Sequence, residues 1–151
     1  MPRFQPKDPD FEAKVRDSFG RQTAMQTLGA VVGRLGPGEL EVEMPYRADL
    51  AQQHGFIHGG IVTSILDSAC WYAAFSLSAP DSAILTVEYK VNFVTPAKGE
   101  RLVARGEVIR PGATVTVCKG NVLVYQGEEE ELAATMLATF MLMPNRPDLA
   151  G

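Results

Sequence analysis

Between Gly60 and Leu77 the chain is apolar on almost every helical face, with Ile61, Val62, Ile65, Leu66, Ala69, Cys70, Ala73, Ala74 and Leu77 and no proline. Such a segment predicts a helix enclosed by the rest of the protein, because no polar face remains for water. Past Ala79-Pro80-Asp81 the period changes to two. Leu85, Val87, Tyr89, Val91 and Phe93 alternate with Thr86, Glu88, Lys90 and Asn92, which predicts a half-buried strand closed by Pro96. Leu102 to Arg110, Thr114 to Tyr125 and Leu132 to Met143 predict further strands, separated by Pro111-Gly112 and by Gln126-Gly127 with the acidic run Glu128 to Glu131.

Upstream, Asp8-Pro9-Asp10 can cap an amphipathic helix reaching about Gln22, with Phe11, Val15 and Phe19 at four-residue spacing. Leu28 to Val32 and Leu40 to Met44 then flank Gly36-Pro37-Gly38, which is turn chemistry between two short strands. Arg47 to Phe56 predicts a polar loop, and the last eight residues a loose tail. One enclosed helix followed by long antiparallel strands is an α+β layout in which a curved sheet wraps the helix, after a short N-terminal helix. Such a sheet leaves a long unpaired edge, which predicts pairing with a twin: a homodimer, or a dimer of dimers.

A length of 151 residues fits a single domain spanning 1–151, with a core of about 27–143. With 46% hydrophobic and 21% charged residues, the chain has the make-up of an ordinary globular protein. A net charge of −4 and the lack of any basic run interleaved with aromatics argue against a nucleic-acid partner. No segment approaches the roughly 20 apolar residues of a membrane-spanning helix. The N-terminus is polar and carries no apolar leader. Cys70 and Cys118 lie apart without the spacing of a disulfide or metal framework, so a cytoplasmic setting is expected. His54 and His58 have an i, i+4 spacing but no third ligand, so no metal is expected.

Asp67 is the anomaly of the enclosed helix, since a carboxylate there must be desolvated, paired or open to a cleft. At helical spacing Thr63, Asp67 and Trp71 share a stripe flanked by Ser64 and Ser68, the polar strip of the helix. Asp67 is either the carboxylate of a cleft or simply the acceptor of a bond from a neighbouring hydroxyl. His58-Gly59-Gly60 lies where the helix begins, and its free first-turn N–H groups could receive a developing oxyanion. The same triplet also reads as a plain glycine turn beside a surface histidine. Cys70 has no cationic neighbour to make it a thiolate, and no serine sits in a Gly-x-Ser-x-Gly elbow.

The stretch Gln52-Gln53-His54-Gly55-Phe56-Ile57-His58-Gly59-Gly60, running on through Asp67 to Ala74, resembles the signature of hot-dog thioesterases of the phenylacetic-acid-degradation type. Val91 to Ala97 and Leu137-Ala138-Thr139-Phe140 resemble later strands of that family, so the likeness spans about residues 30–143. The resemblance implies a hot-dog fold and hydrolysis of an acyl-CoA thioester at a dimer interface, with no cofactor and coenzyme A only as part of the substrate. It implies that Gly59 N–H polarises the thioester carbonyl and that Asp67 of the other subunit acts as general base or nucleophile. Gln52 stands where relatives often carry Asn, and Thr86 where a small hydroxyl helps place water. Period-two parity, however, puts Thr86 with Glu88 and Lys90, facing away from Leu85 and Val87.

His58 completes the catalytic candidates, and Gly60, Ser68, Trp71, Asn92 and Arg110 are the substrate-binding ones, with Lys119 a further candidate for the coenzyme A phosphates. The basic-glycine pair common after the family's fourth main strand is here Pro111-Gly112-Ala113, with Arg110 before the proline. Two other readings within reach are an acyl-thioester hydratase or dehydratase built on His58, and a non-catalytic acyl-CoA-binding protein. Nine residues separate His58 from Asp67, or about 13 Å of helix. The two ends of the motif meet at one thioester only if they come from different subunits.

Overall fold

The computed structural model describes residues 2–151, and its organising element is the helix α3, Gly59–Ser76. Val62, Ile65, Leu66, Ala69, Cys70 and Ala73 are all fully buried, as the apolar pattern requires. The helix lies against the sheet closely enough that two glycines are needed beneath it. A Cβ on Gly106 would come within 2.4 Å of the Ala69 backbone, and one on Gly120 within 2.7 Å of Leu66. Larger residues there would lift the helix off the sheet and open voids in a tightly filled core.

Six antiparallel strands form that sheet: β1 Val31–Gly36, β2 Glu39–Pro45, β3 Ala83–Phe93, β4 Arg101–Arg110, β5 Val115–Gln126 and β6 Glu129–Met143. Their order is β1-β2-β4-β5-β6-β3, so β1 and β3 are the edges. Leu40, Val42, Met44, Leu102, Ala104, Cys118, Val122, Ala138 and Phe140 point inward onto α3 and are buried. The α+β reading and the enclosed helix hold. The hot-dog arrangement, a sheet wrapped on one long helix, is the fold of this chain.

The first helix, α1, spans Phe11–Arg21, with Asp8 of the expected Asp8-Pro9-Asp10 entrance accepting from Asp10 N at 2.9 Å. Two details differ from the sequence reading. A second helix, α2, runs Thr23–Leu28 and ends on left-handed Gly29, so Leu28 belongs to a helix and the first strand starts only at Val31. The tail is not loose either. Arg146 N donates to Asp81 O at 2.8 Å, a 3-10 turn forms at Pro147–Leu149, and Arg21 Nη2 donates to Gly151 O at 2.8 Å.

Lys14 fastens α1 to the far end of α3. Its Nζ donates to Ser78 O at 2.6 Å and lies 4.6 Å from the centre of the Phe75 ring. The contact sets a cation just past the C-terminus of α3, where the negative end of the helix dipole favours it. Burial lowers the Lys14 pKa, and Asp8 works against that shift.

Candidate active site

The one stripe of α3 left partly open is Gly60, Ser64, Asp67 and Trp71. Its spacing of four, three and four residues is that of a single helical face. Thr63 and Ser68, expected beside Asp67, are buried on the flank instead, at 8% and 5% exposure. Ser68 is therefore closed off from a ligand lying on the stripe.

At the start of the helix, His58 is the cap. Its Nδ1 accepts from Gly60 N at 2.9 Å, and its carbonyl accepts from Ile61 N. Nδ1 is thus committed to the backbone and the ring is exposed. Gly60 has the small side needed for that ring, since a Cβ there would meet His58 Nδ1 at 3.1 Å. Gly59, by contrast, faces a cleft of about 290 Å³ lined by Gln52, Phe56, Val62, Phe93, Pro96 and Ala97 among others. The Gly59 N–H takes no partner among the described residues. It sits at the positive end of an 18-residue helix dipole, where a developing negative charge is stabilised.

Gln52 reaches the cleft from a tight loop. Its backbone N donates to Phe56 O at 2.8 Å, Gly55 N donates to Gln52 O at 2.9 Å, and its Oε1 accepts from His54 N. Left-handed Gly55, φ 83°, makes the turn possible. The side-chain carbonyl is held by the loop, so the amide N–H groups are what Gln52 can offer to a ligand.

Asp67 is half-buried, and its Oδ1 accepts from Thr86 Oγ1 at 3.1 Å. Burial pushes its carboxyl above the ordinary range, and the Thr86 hydrogen bond offsets only part of that shift. A carboxylate with a raised pKa is a better proton acceptor than a solvated one.

The Asp67 to Thr86 contact overturns the parity expected for β3. Register shifts between Thr86 and Glu88, so Val87 is the extra residue of a bulge. Thr86 pairs with buried Phe140, while Tyr89, Val91 and Phe93 pair with Ala138, Met136 and Ala134, all of them core-facing. Thr86 therefore shares the helix side with Tyr89, Val91 and Phe93. Glu88 lies on the opposite face, where its carboxylate accepts from Thr139 Oγ1.

The same register takes Asn92 away from the site. It pairs with Thr135 on the outer face, in line with Glu88 and Lys90. Arg110 stands at the end of β4 that adjoins Gly38 and the C-terminus of α3, the opposite end of the molecule from Gly59. Lys119 lies on the outer face, paired with Glu107 at 3.5 Å. None of the three is brought to the cleft. The structure instead gathers Gln52, Gly59 and Phe93 at one point and Asp67, Thr86 and Trp71 at another.

Several cleft residues escaped the sequence reading. Phe93 touches the place where a Gly59 side chain would be, at 3.1 Å, and Pro96 and Ala97 close the cleft's other wall. Lys98 follows them, its Nζ 3.8 Å from the Cβ position of Gly55 in the Gln52 loop. Ile57 N donating to Ala97 O at 2.8 Å ties the two walls together. The proline that ends β3 was the available signal, since the chain must turn back there toward the helix start.

Cys70 and Cys118 are buried free thiols, and burial drives both up, Cys118 to about 12. Neither is a nucleophile at neutral pH. Among the described residues no group of three or more His, Cys, Asp or Glu could hold a metal ion. No helix among them is long and apolar enough to cross a membrane.

Residues 54–132 match the model of the Thioesterase superfamily. A crystal structure of a thioesterase family protein from Silicibacter pomeroyi is 53% identical and superposes with a TM-score of 0.87, covering 89% of this chain and 98% of its own. The PaaI protein of the phenylacetic acid degradation operon of E. coli shares the fold at 18% identity, with a TM-score of 0.81 over 91% of this chain and 96% of its own. Thioesterase HI1161 from Haemophilus influenzae shares it at 19% identity, with a TM-score of 0.77 over 85% and 87%. The chain belongs to the thioesterase superfamily, as a thioester hydrolase with a PaaI-like hot-dog fold.

Proposed function

We propose that this enzyme hydrolyses acyl-CoA thioesters at a site completed by a second copy of the chain. The observation that carries this reading is the separation of its two chemical groups along one rigid helix. Gly59 and Asp67 are eight residues apart, about 12 Å of α3, too far to act on one carbonyl carbon. A two-fold axis near Ser64 would bring Asp67 of each copy to Gly59 of the other. Gly60 and Ser64, both small, allow two such helices to approach closely there.

The surface around the stripe supports that pairing. β3 is an 11-residue edge strand, and Val87, Tyr89 and Phe93 on it are 56%, 42% and 55% exposed. An unprotected edge with apolar side chains is a surface for another strand. Two copies meeting at β3 would form one continuous sheet with both helices on the same side. A cleft of about 290 Å³ is at the lower limit for a small-molecule site, consistent with half of a composite one.

In the composite site the thioester carbonyl oxygen accepts from Gly59 N–H, and the α3 dipole stabilises the charge that forms on it. Asp67 takes a proton from water as the water oxygen bonds to the carbonyl carbon, or its own oxygen forms that bond and water afterwards hydrolyses the acyl-Asp67 anhydride left once the thiolate has gone. The tetrahedral intermediate then collapses, the carbon–sulfur bond breaks, and coenzyme A leaves as the thiol once protonated. Thr86 holds the Asp67 carboxylate in place, and the Gln52 amide orients the carbonyl or the water. Lys98, beside the Gln52 loop, is a cation available to the coenzyme A phosphates. The free thiols fit a reducing, cytoplasmic setting.

A hydratase or dehydratase would need His58 as its acid or base, and with Nδ1 spent on capping α3 that role would fall to Nε2 of the exposed ring. Free-thiol detection with a panel of acyl-CoAs tests the proposal, with sedimentation alongside. Release of coenzyme A by a dimer or tetramer is the expected result. A monomer at micromolar concentration, or hydration of crotonyl-CoA without thiol release, would overturn it. Single-turnover hydrolysis in ¹⁸O-water probes the role of Asp67, since label found on its carboxylate requires a covalent acyl intermediate, whereas direct attack by water leaves that carboxylate unlabelled.

A further inference from the structure

The open stripe of α3 has one open end and one closed end. At Gly59 it meets the cleft. At the other end, one turn beyond Asp67, it runs into Trp71, and that side chain is fixed from several directions. Trp71 Nε1 donates to Ile84 O at 2.9 Å, on the strand that also carries Thr86. Its ring lies edge-on to Tyr72 at 4.7 Å and beside Phe75 at 4.9 Å. Behind it sits Gly151, packed so that even a Cβ there would come within 2.9 Å of the Trp71 and Phe75 rings. Arg21 holds that residue by its carbonyl.

An indole tied to the backbone of β3, buttressed by two aromatic rings and backed by the tail cannot swing aside as a surface tryptophan can. It remains only partly buried, so one surface still faces the stripe. We infer that Trp71 is the end wall of the acyl-binding site and restricts the enzyme to short-chain or single-ring acyl groups. This rests on the thioesterase reading above.

The geometry sets the limit. Four residues of helix place Trp71 about 6 Å beyond Asp67 along α3. An acyl group whose carbonyl carbon is level with the carboxylate has room for roughly four carbons, or one planar ring stacked on the indole, before it meets the wall. The wall beside Asp67 is the apolar indole of Trp71, backed by Tyr72 and Phe75, a surface suited to an acyl group and not to the polar arm of coenzyme A. The acyl group therefore lies toward Trp71.

The test is a chain-length panel, acetyl- to dodecanoyl-CoA with benzoyl- and phenylacetyl-CoA, read by free thiol for wild type, Trp71→Ala, Trp71→Leu and Trp71→Phe. Wild type is expected to favour about five carbons or fewer, or the aryl groups. Each misfitting methylene in an apolar pocket costs roughly tenfold in specificity, so the decanoyl-to-butyryl ratio of kcat/KM should rise at least tenfold in Trp71→Ala. Trp71→Leu asks the same question if the alanine variant fails to fold, and should raise the ratio less. Trp71→Phe keeps most of the wall and should leave the ratio near that of wild type. A folded Trp71→Ala or Trp71→Leu enzyme with the wild-type ratio, or a wild type that prefers dodecanoyl-CoA, overturns the inference while leaving the thioesterase reading intact. Failure of wild type to release coenzyme A from any member of the panel overturns the thioesterase reading, and the wall with it.

Discussion

Asp67 and Glu41 are both acidic side chains drawn largely out of water, and the protein treats them in opposite ways. Glu41 projects from the outer face of β2 at 9% exposure, and its Oε1 accepts from Arg34 Nη2 at 2.9 Å and Arg105 Nε at 2.8 Å. Burial pushes its carboxyl up, but the two guanidinium groups outweigh that and hold it below the ordinary value. Asp67 suffers the same desolvation with only the Thr86 hydroxyl to oppose it, and its carboxyl ends above the ordinary value. A cationic partner makes Glu41 a structural charge. Asp67 has none among the described residues and is poised to take a proton, which is what a general base needs.

The largest effect expected from breaking this contrast is at Asp67. Asp67→Asn should lower kcat by about 10²- to 10⁴-fold, the usual contribution of a positioned base, measured as coenzyme A release. The same variant should be more stable at neutral pH. A carboxyl whose folded pKa is raised adds stability that is complete below its unfolded pKa and lost as pH rises through the folded one. At pH 7 the ionised Asp67 is therefore a cost of folding, and the neutral amide removes it. Calorimetry at pH 7 should show a higher Tm with activity lost; a lower Tm would mean that Asp67 is structural after all.

Thr86→Val comes next. It removes the hydroxyl that favours the ionised carboxylate, so the Asp67 pKa should climb further. The acid limb of the kcat profile should move to higher pH, and kcat at its plateau should fall by roughly tenfold, at the low end for a displaced catalytic group. Wild-type activity itself should fall as pH drops through a value above the ordinary aspartate range. An unshifted limb in Thr86→Val would detach Thr86 from the site.

How far this contrast could be read from sequence depends on the kind of contact. The enclosed helix was legible because its apolar residues leave no wet face, and Asp67 stood out against them. Glu41 could be placed on an outer face by the alternation with Leu40 and Val42, but not its partner Arg105, which reaches it from 64 positions along the chain. Thr86 was misplaced for a subtler reason. Leu85, Val87 and Tyr89 alternate without interruption in the sequence, while the bulge at Val87 reverses the facing of everything before it. A bulge adds a residue to one strand only, and the partner strand shows it just as register. The helix Thr23–Leu28 was hidden because its buried Met25 and Leu28 run straight into the apolar Ala30 to Val32. Six residues also show too few turns for a period to emerge.

Glu41→Gln should have the smallest effect and the opposite sign to Asp67→Asn. A depressed folded pKa means that the Glu41 carboxylate contributes stability above its unfolded pKa and loses it as pH falls through the folded one. Gln keeps an acceptor for Arg34 or Arg105 but not the charge. Arg34 is largely solvated and Arg105 still reaches Tyr125 Oη at 2.8 Å, so both cations stay partly satisfied. The loss should be about 1 kcal/mol, within the range of a charge-assisted hydrogen bond discounted for solvent, or roughly 2–4 °C in Tm at pH 7 for a chain of this size. The difference from wild type should shrink below about pH 4.5, where the unfolded glutamate also takes up its proton. Turnover should be unaffected, because Glu41 lies across the sheet from α3. A Tm that rises in Asp67→Asn and falls in Glu41→Gln, with activity lost only in the first, would establish that Asp67 serves the reaction and Glu41 the fold.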